Sequence, residues 1–190
     1  MIMKTLNNTL ARRQSGFTLL EAMISIVVLS VGVLSLAAVY GQGIFYATQA
    51  QYDYIAEKKA EQAVEAMFTA RDIKSLTWTN IQNVSNGGVF LDGPQRMLVP
   101  GPDGLVGTQS DVGSADELII TGPGPDKVLG TPDDTTTDLN PWMTRTIAIT
   151  PVVVAGTAEP NLRQVTVTIT YQLGKQSKTY TLISYISSFA

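Results

Sequence analysis

From Ala22 to Tyr40 the chain reads AMISIVVLSVGVLSLAAVY, nineteen residues without a charge, and the next charged residue is Asp53. At about 1.5 Å per residue the run makes roughly 28 Å of helix, against a bilayer hydrocarbon thickness of roughly 30 Å. A segment of this length and composition is expected to span a membrane. The only charges ahead of Glu21 are basic, namely Lys4, Arg12 and Arg13, whereas the region from Asp53 onward mixes acids with lysines. By the positive-inside rule residues 1–16 are expected in the cytoplasm and the C-terminal part on the far side.

The rest of the composition narrows the chemistry. A chain of 190 residues, 44% of them apolar, has room for one compact domain and an appendage. It contains no cysteine and no histidine, which excludes disulfides, thiolate or imidazole metal sites, cysteine nucleophiles and Ser-His-Asp triads. Any metal site would have to be built from oxygen. With 13 basic and 16 acidic side chains and no clustered basic face, no nucleic-acid partner is expected. Catalysis by paired carboxylates is not expected either: the adjacent Asp116 and Glu117 would point to opposite faces of a strand, and no other pair stands out from loop acids.

The junction before the apolar run reads RRQSGFTLLEAMISIVVLSVGVLSLA. Ser35 and Ala37 supply the small-x-small pattern of an ordinary secretory cleavage site, so spacing alone leaves open whether the apolar segment is removed or retained. Thr18 and Glu21 fit a capping box at the start of a helix. A carboxylate inside a membrane helix costs about 2.5–3.5 kcal/mol at the centre and less near an interface, and is usually paired and functional. Gly16 offers no side chain to obstruct a protease that holds the backbone extended.

Gly16 before Phe17, the lone Glu21, the short basic leader and the span that follows together resemble the processing site of type IV pilins and of the related pseudopilins of type II secretion. The resemblance covers the first third of the chain. It implies a leader over residues 1–16, cut between Gly16 and Phe17 by a membrane prepilin peptidase that also methylates the new amine of Phe17. It also implies that Glu21 pairs with the N-terminal amine of a neighbouring subunit, and so selects subunits whose leader is gone. The implied fold is α+β and pilin-like, a long N-terminal helix with its first half in the membrane and its second half packed on a C-terminal antiparallel β-sheet. The implied partners are the prepilin peptidase, the inner membrane and other pilins or pseudopilins. The stretch VLSVGVLSLA looks most like the V-type minor pilins, sometimes called pilus modification proteins. That makes a minor pilin-like subunit of a type IV pilus or its priming complex the first expectation, with a minor pseudopilin of a type II secretion system as the alternative. A membrane-anchored periplasmic binding domain is the alternative from another class. The expected location is the bacterial inner membrane, single-pass with the N-terminus cytoplasmic and the C-terminal domain periplasmic, and then the pilus or pseudopilus.

Beyond the run, Tyr52, Ala56, Ala60, Ala63 and Met67 recur every three or four residues, which predicts an amphipathic helix continuing to about Arg71. Gly32, Gly41 and Gly43 lower helix propensity by about 1 kcal/mol each and make local unwinding an option. Asp53, Glu57, Glu61 and Glu65 lie at successive i, i+4 positions and read as a solvated face, or as a contact for a basic surface. Gln164–Leu173 and Lys178–Ser187 alternate like the two strands of a hairpin with its turn at Gly174–Ser177. Arg145–Val154 and Glu117–Thr121 complete an expected sheet of about four strands, Pro151 confining the former to an edge or splitting it. The expected organisation is a leader over 1–16, a membrane half-helix over 17–46, an amphipathic half-helix over 47–72 and a periplasmic β-rich domain over 73–190.

Within that domain, in the Asp/Gly-rich loops over 101–138, residues 102–111 (PDGLVGTQSD) and 125–134 (PDKVLGTPDD) form a repeat with an offset of 23. Aspartates, threonines and carbonyls interspersed with glycine suit calcium, which takes six to eight oxygen ligands. Asp103, Asp111, Asp126, Asp133 and Asp134 are the expected ligands. Neither copy has the bidentate glutamate of an EF-hand, and the same residues are good turn formers joining strands. Calcium-stabilised loops in some pseudopilins resemble this arrangement. Many pilins close a C-terminal loop with a disulfide, which this chain cannot form.

Overall fold

The computed structural model describes residues 16–189. One helix, α1, runs from Leu19 to Asp72, within a residue of the expected limits at both ends. It is unbroken at Gly32, Gly41 and Gly43, so the lowered propensity there does not open a turn. In this stretch every backbone group keeps its place in the i→i−4 ladder, and the apolar neighbours offer no competing hydrogen bonds.

Two compact units meet within this helix, one ending at Ala47 and the other starting at Thr48. In the first, every described side chain through Ala47 is exposed, from Phe17 and Leu19 to Phe45. Ser25, Ser30 and Ser35 donate their hydroxyls back to the carbonyls of Glu21, Ile26 and Val31 at 2.7–2.8 Å. Their polar groups are thereby satisfied within the helix, which a segment in hydrocarbon requires.

The second unit places the later part of α1 against a four-stranded antiparallel sheet in the order β1-β4-β5-β6. Its strands are β1 (Gln95–Arg96), β4 (Met143–Val154), β5 (Thr157–Leu173) and β6 (Gln176–Ser187). A separate two-stranded ribbon pairs β2 (Leu118–Gly122) with β3 (Thr135–Asp138). The predicted hairpin is present, with Leu173 opposite Gln176 and the turn at Gly174 and Lys175. The segment expected over Glu117–Thr121 is a strand but belongs to the ribbon, and the fourth strand of the main sheet is the two-residue β1. Pro151 lies on the side of β4 that β1 leaves uncovered, since β1 reaches only Thr144 and Arg145, and the pairing with β5 shifts just after it. A residue without an N–H is tolerated there because no neighbouring strand asks for one.

Ala56, Ala60, Ala63, Val64, Met67 and Ala70 form the buried face of α1, as the periodicity predicts. They share one apolar cluster with Met143, Ile147 and Ile149 of β4, with Val165, Val167, Ile169 and Tyr171 of β5, and with Ile186 of β6. Four alanines on that face let the helix backbone approach the sheet closely, so the larger side chains come from the strands. Each fully buried valine or isoleucine contributes about 1.5–3 kcal/mol. Asn83 completes the uncovered side of β4: its amide nitrogen donates to the Ile147 carbonyl and its amide oxygen accepts from the Ile149 N–H, both at 2.8 Å. One buried side chain thus supplies the hydrogen bonds of a missing strand.

Candidate functional site

Gly16 and Phe17 lie just before α1 and are exposed. A Cβ added at Gly16 would meet no atom of the chain, so the chain's own packing does not require glycine there. Thr18 caps the helix by accepting the Glu21 N–H at 3.2 Å. Among the described residues nothing pairs with the Glu21 carboxylate, so half of the capping box is formed and the acid stays available on the exposed apolar unit. The leader residues Lys4, Arg12 and Arg13 lie outside the described residues. One helix among the described residues is long and apolar enough to cross a membrane, and it is this one.

Lower on α1 the acidic stripe is tied to the sheet rather than simply solvated. The Tyr171 hydroxyl donates to Asp53, and both its desolvation and that carboxylate raise the phenol pKa. Tyr52 stacks on Trp142 with ring centroids 4.6 Å apart, and the indole N–H donates to the Asp138 carbonyl. Glu61 pairs with Lys58 at 2.6 Å, while Glu65 is exposed. Tyr180 of β6 sits in the field of Glu57 and Glu61, which adds to burial in raising its pKa.

A buried ion network was not foreseen. Glu117 accepts from Lys59 of α1 at 2.7 Å and from Arg145 of β4 at 2.9 Å. Arg145 is 2% exposed and its Nε has no partner. Burial lowers the guanidinium pKa, and Glu117 followed by the more distant Asp111 works against that loss. Asp116, the sequence neighbour of Glu117, points the other way and pairs with Arg96 at the surface, as the strand alternation predicts. A signal for the network existed: Arg145 occupies the inward phase of β4, between the buried Met143 and Ile147.

The repeat is real in three dimensions. In the first copy Asp111 accepts N–H bonds from Gly101 (2.8 Å), Gly107 (2.6 Å) and Thr108 (3.1 Å). In the second Asp134 accepts from Gly124 (3.3 Å), Gly130 (2.6 Å) and Thr131 (3.2 Å). Asp103 and Asp126 likewise accept from Leu105 and Val128, each two residues on. Asp133 accepts the Thr131 hydroxyl and the Asp126 N–H, and these bonds, the hydroxyl first, hold its carboxyl below the usual range. Gly101 and Gly124 are required by close approach, since a Cβ would fall 2.4 Å from the Ser110 carbonyl oxygen and 2.2 Å from that of Asp133.

The five expected calcium ligands therefore divide between two loops, two in the first and three in the second. There they serve as acceptors for each loop's own backbone. Among the described residues no group of three or more acidic side chains is placed to hold a metal ion. The copies differ in cover: Leu105 and Val106 are 3% and 2% exposed, whereas their counterparts Val128 and Leu129 are 55% and 65% exposed.

Against known proteins, residues 11–37 match the family model of the prokaryotic N-terminal methylation motif. Neither a curated protein nor a solved structure matches the chain. The motif spans the junction and most of the apolar run, and it marks a type IV pilin- or pseudopilin-like protein. It implies processing by prepilin peptidase and assembly with other pilins, and the helix behind it fits anchoring in a membrane. The architecture is α+β and pilin-like, α1 packed against an antiparallel sheet.

Proposed function

We propose that the chain is a minor pilin-like structural subunit, incorporated into a type IV pilus or its priming complex. Its leader is cut between Gly16 and Phe17, and the Phe17 amine is methylated. The observation that carries this reading is the change of surroundings along one helix behind a methylation motif: uncovered apolar side chains through Ala47, then a buried alanine face from Ala56 onward. The uncovered part needs lipid before assembly and neighbouring helices after it. Glycine at position 16, which the chain's own packing does not explain, is accounted for by the cleft of a peptidase. Glu21, with no partner in its own chain, is accounted for by the amine of the next subunit.

Glu21→Ala should leave membrane insertion intact while reducing incorporation into filaments. Normal incorporation would count against the assembly role. Deletion of the gene should abolish or alter surface fibres with secretion intact, whereas lost secretion with normal fibres would move the chain to a secretion system. Calcium at Asp103, Asp111, Asp126, Asp133 and Asp134 is a separate proposal, supported by the recurrence of the same oxygen-rich loop in two copies.

A further inference from the structure

The two copies of the loop share a hydrogen-bond pattern and differ in what covers their apolar pair. In the first, Leu105 and Val106 are buried, and Gly107 passes so close to Ile147 of β4 that a Cβ would come within 2.9 Å of its Cδ1. In the second, Val128 and Leu129 project from a loop carried by a two-stranded ribbon, an element that is marginal by itself. The outer face of the ribbon adds Leu118 and Ile120, each 51% exposed. Around the pair stand Asp126, Asp133 and Asp134 against the single cation Lys127, so the knob is apolar at its centre and acidic at its margin.

A surface of opposite character lies elsewhere on the same unit. Past the end of α1 a cavity of about 270 Å³ is lined by Arg71, Lys74, Leu76, Thr77, Trp78 and Ser188. Ile73 and Phe189, 69% and 72% exposed, flank it in sequence. Arg71 is held by Asp72 and by the Ser187 carbonyl, whereas among the described residues the Lys74 ammonium has no partner. Lys74 also sits at φ +60°, a conformation that favours glycine.

The register sets these surfaces apart. The ribbon is rooted at the Met143 end of β4, where Glu117 meets Arg145 and the Leu139 N–H. The cavity lies at the other end of the sheet, where Ser187 pairs with Leu162 and the Trp78 indole donates to the Pro160 carbonyl.

We infer that the Val128–Leu129 loop of one subunit docks into the Arg71–Lys74 cavity of a second copy of this chain. Charge complementarity selects that occupant: an acidic margin around an apolar pair meets a cavity with apolar walls and an unpaired ammonium. Because donor and acceptor are different patches, the contact is head-to-tail and propagates instead of closing, as a filament requires. The inference rests on the filament reading for what brings copies together.

The absence of native cysteine makes a direct test practical. Full-length chains carrying Val128→Cys or Ile73→Cys would be co-expressed in host cells and oxidised in place. A disulfide-linked dimer of twice the chain mass is expected only when both versions are present. Lys74→Glu in the Ile73→Cys chain should weaken it several-fold, and so should raised salt. Leu129→Cys with Thr77→Cys repeats the test at neighbouring positions if either first substitution lowers the amount of chain. A product of another mass, a dimer from Val128→Cys alone, or no mixed dimer with either pair would overturn the contact. Recovery of the unsubstituted chain in the sheared filament fraction would then show that the filament reading survives; its absence there would bring down both.

Discussion

Asp111 and Asp134 hold the same place in two loops 23 residues apart: each accepts N–H bonds from a glycine ten residues back, a glycine four back and a threonine three back. Their surroundings differ, since Asp111 is 4% exposed and Asp134 only half-buried. Loss of a buried carboxylate strands its N–H donors away from water, whereas near the surface water replaces it. Asp111→Ala is expected to cost about 3 kcal/mol and Asp134→Ala about 1 kcal/mol. Urea unfolding followed by the fluorescence of Trp78 and Trp142 reads both, and equal losses would contradict the difference in cover.

Glu117 is the hub between α1 and β4. Glu117→Ala leaves Arg145 buried without a counter-ion and is expected to cost about 3–5 kcal/mol. Lys59→Ala, which removes a partner 19% exposed, should cost about 1 kcal/mol. Replacing both members together, Glu117→Leu with Arg145→Met, should restore most of the stability, because it removes the desolvation cost with the charge. A double-mutant cycle in urea measures the coupling, and strictly additive losses would contradict it.

Asp133 should titrate below its ordinary value of 3.8. A carboxyl with a depressed folded pKa contributes its full stability above the unfolded value, and the contribution is lost as pH falls through the folded one. The window here thus lies below pH 3.8, and neutral conditions should not reveal it. Thr131→Val removes the largest cause and should move the midpoint upward in a carboxyl NMR titration. An unchanged midpoint would assign the depression elsewhere.

If calcium is bound by the loop aspartates, thermal melts in calcium and in chelator should differ, with the higher midpoint in calcium. Coincident curves would leave the N–H bonds to Asp111 and Asp134 as what closes the loops.

The long helix and the β5–β6 hairpin are legible in the sequence because both rest on local periodicity, the 3.6 spacing of Ala56, Ala60 and Ala63 and the alternation of Val165, Val167 and Ile169. The methylation motif is legible for the same reason, being contiguous. What depends on partners distant in sequence is not. β1 has two residues and no pattern, and β3 reads TTTD with no apolar alternation to betray it. β2 is recognisable as a strand, but its membership in a ribbon follows from pairing with Thr135–Asp138 across the second loop. The aspartates of the repeat are visible as oxygen donors, while the backbone N–H groups that occupy them are not, since every residue carries one. Arg145 sits in phase with apolar neighbours and could have been marked as a buried charge; its partner Glu117, 28 residues away, could not.

The central claim, that this chain enters the pilin pathway, is tested most directly by intact mass and N-terminal peptide analysis of the protein from its native membrane. The account predicts a chain that begins at Phe17 with a methylated amine and keeps its apolar helix. A chain that begins at Met1, or one that begins beyond the apolar run, would contradict it, the first leaving a bitopic anchor and the second a secreted domain.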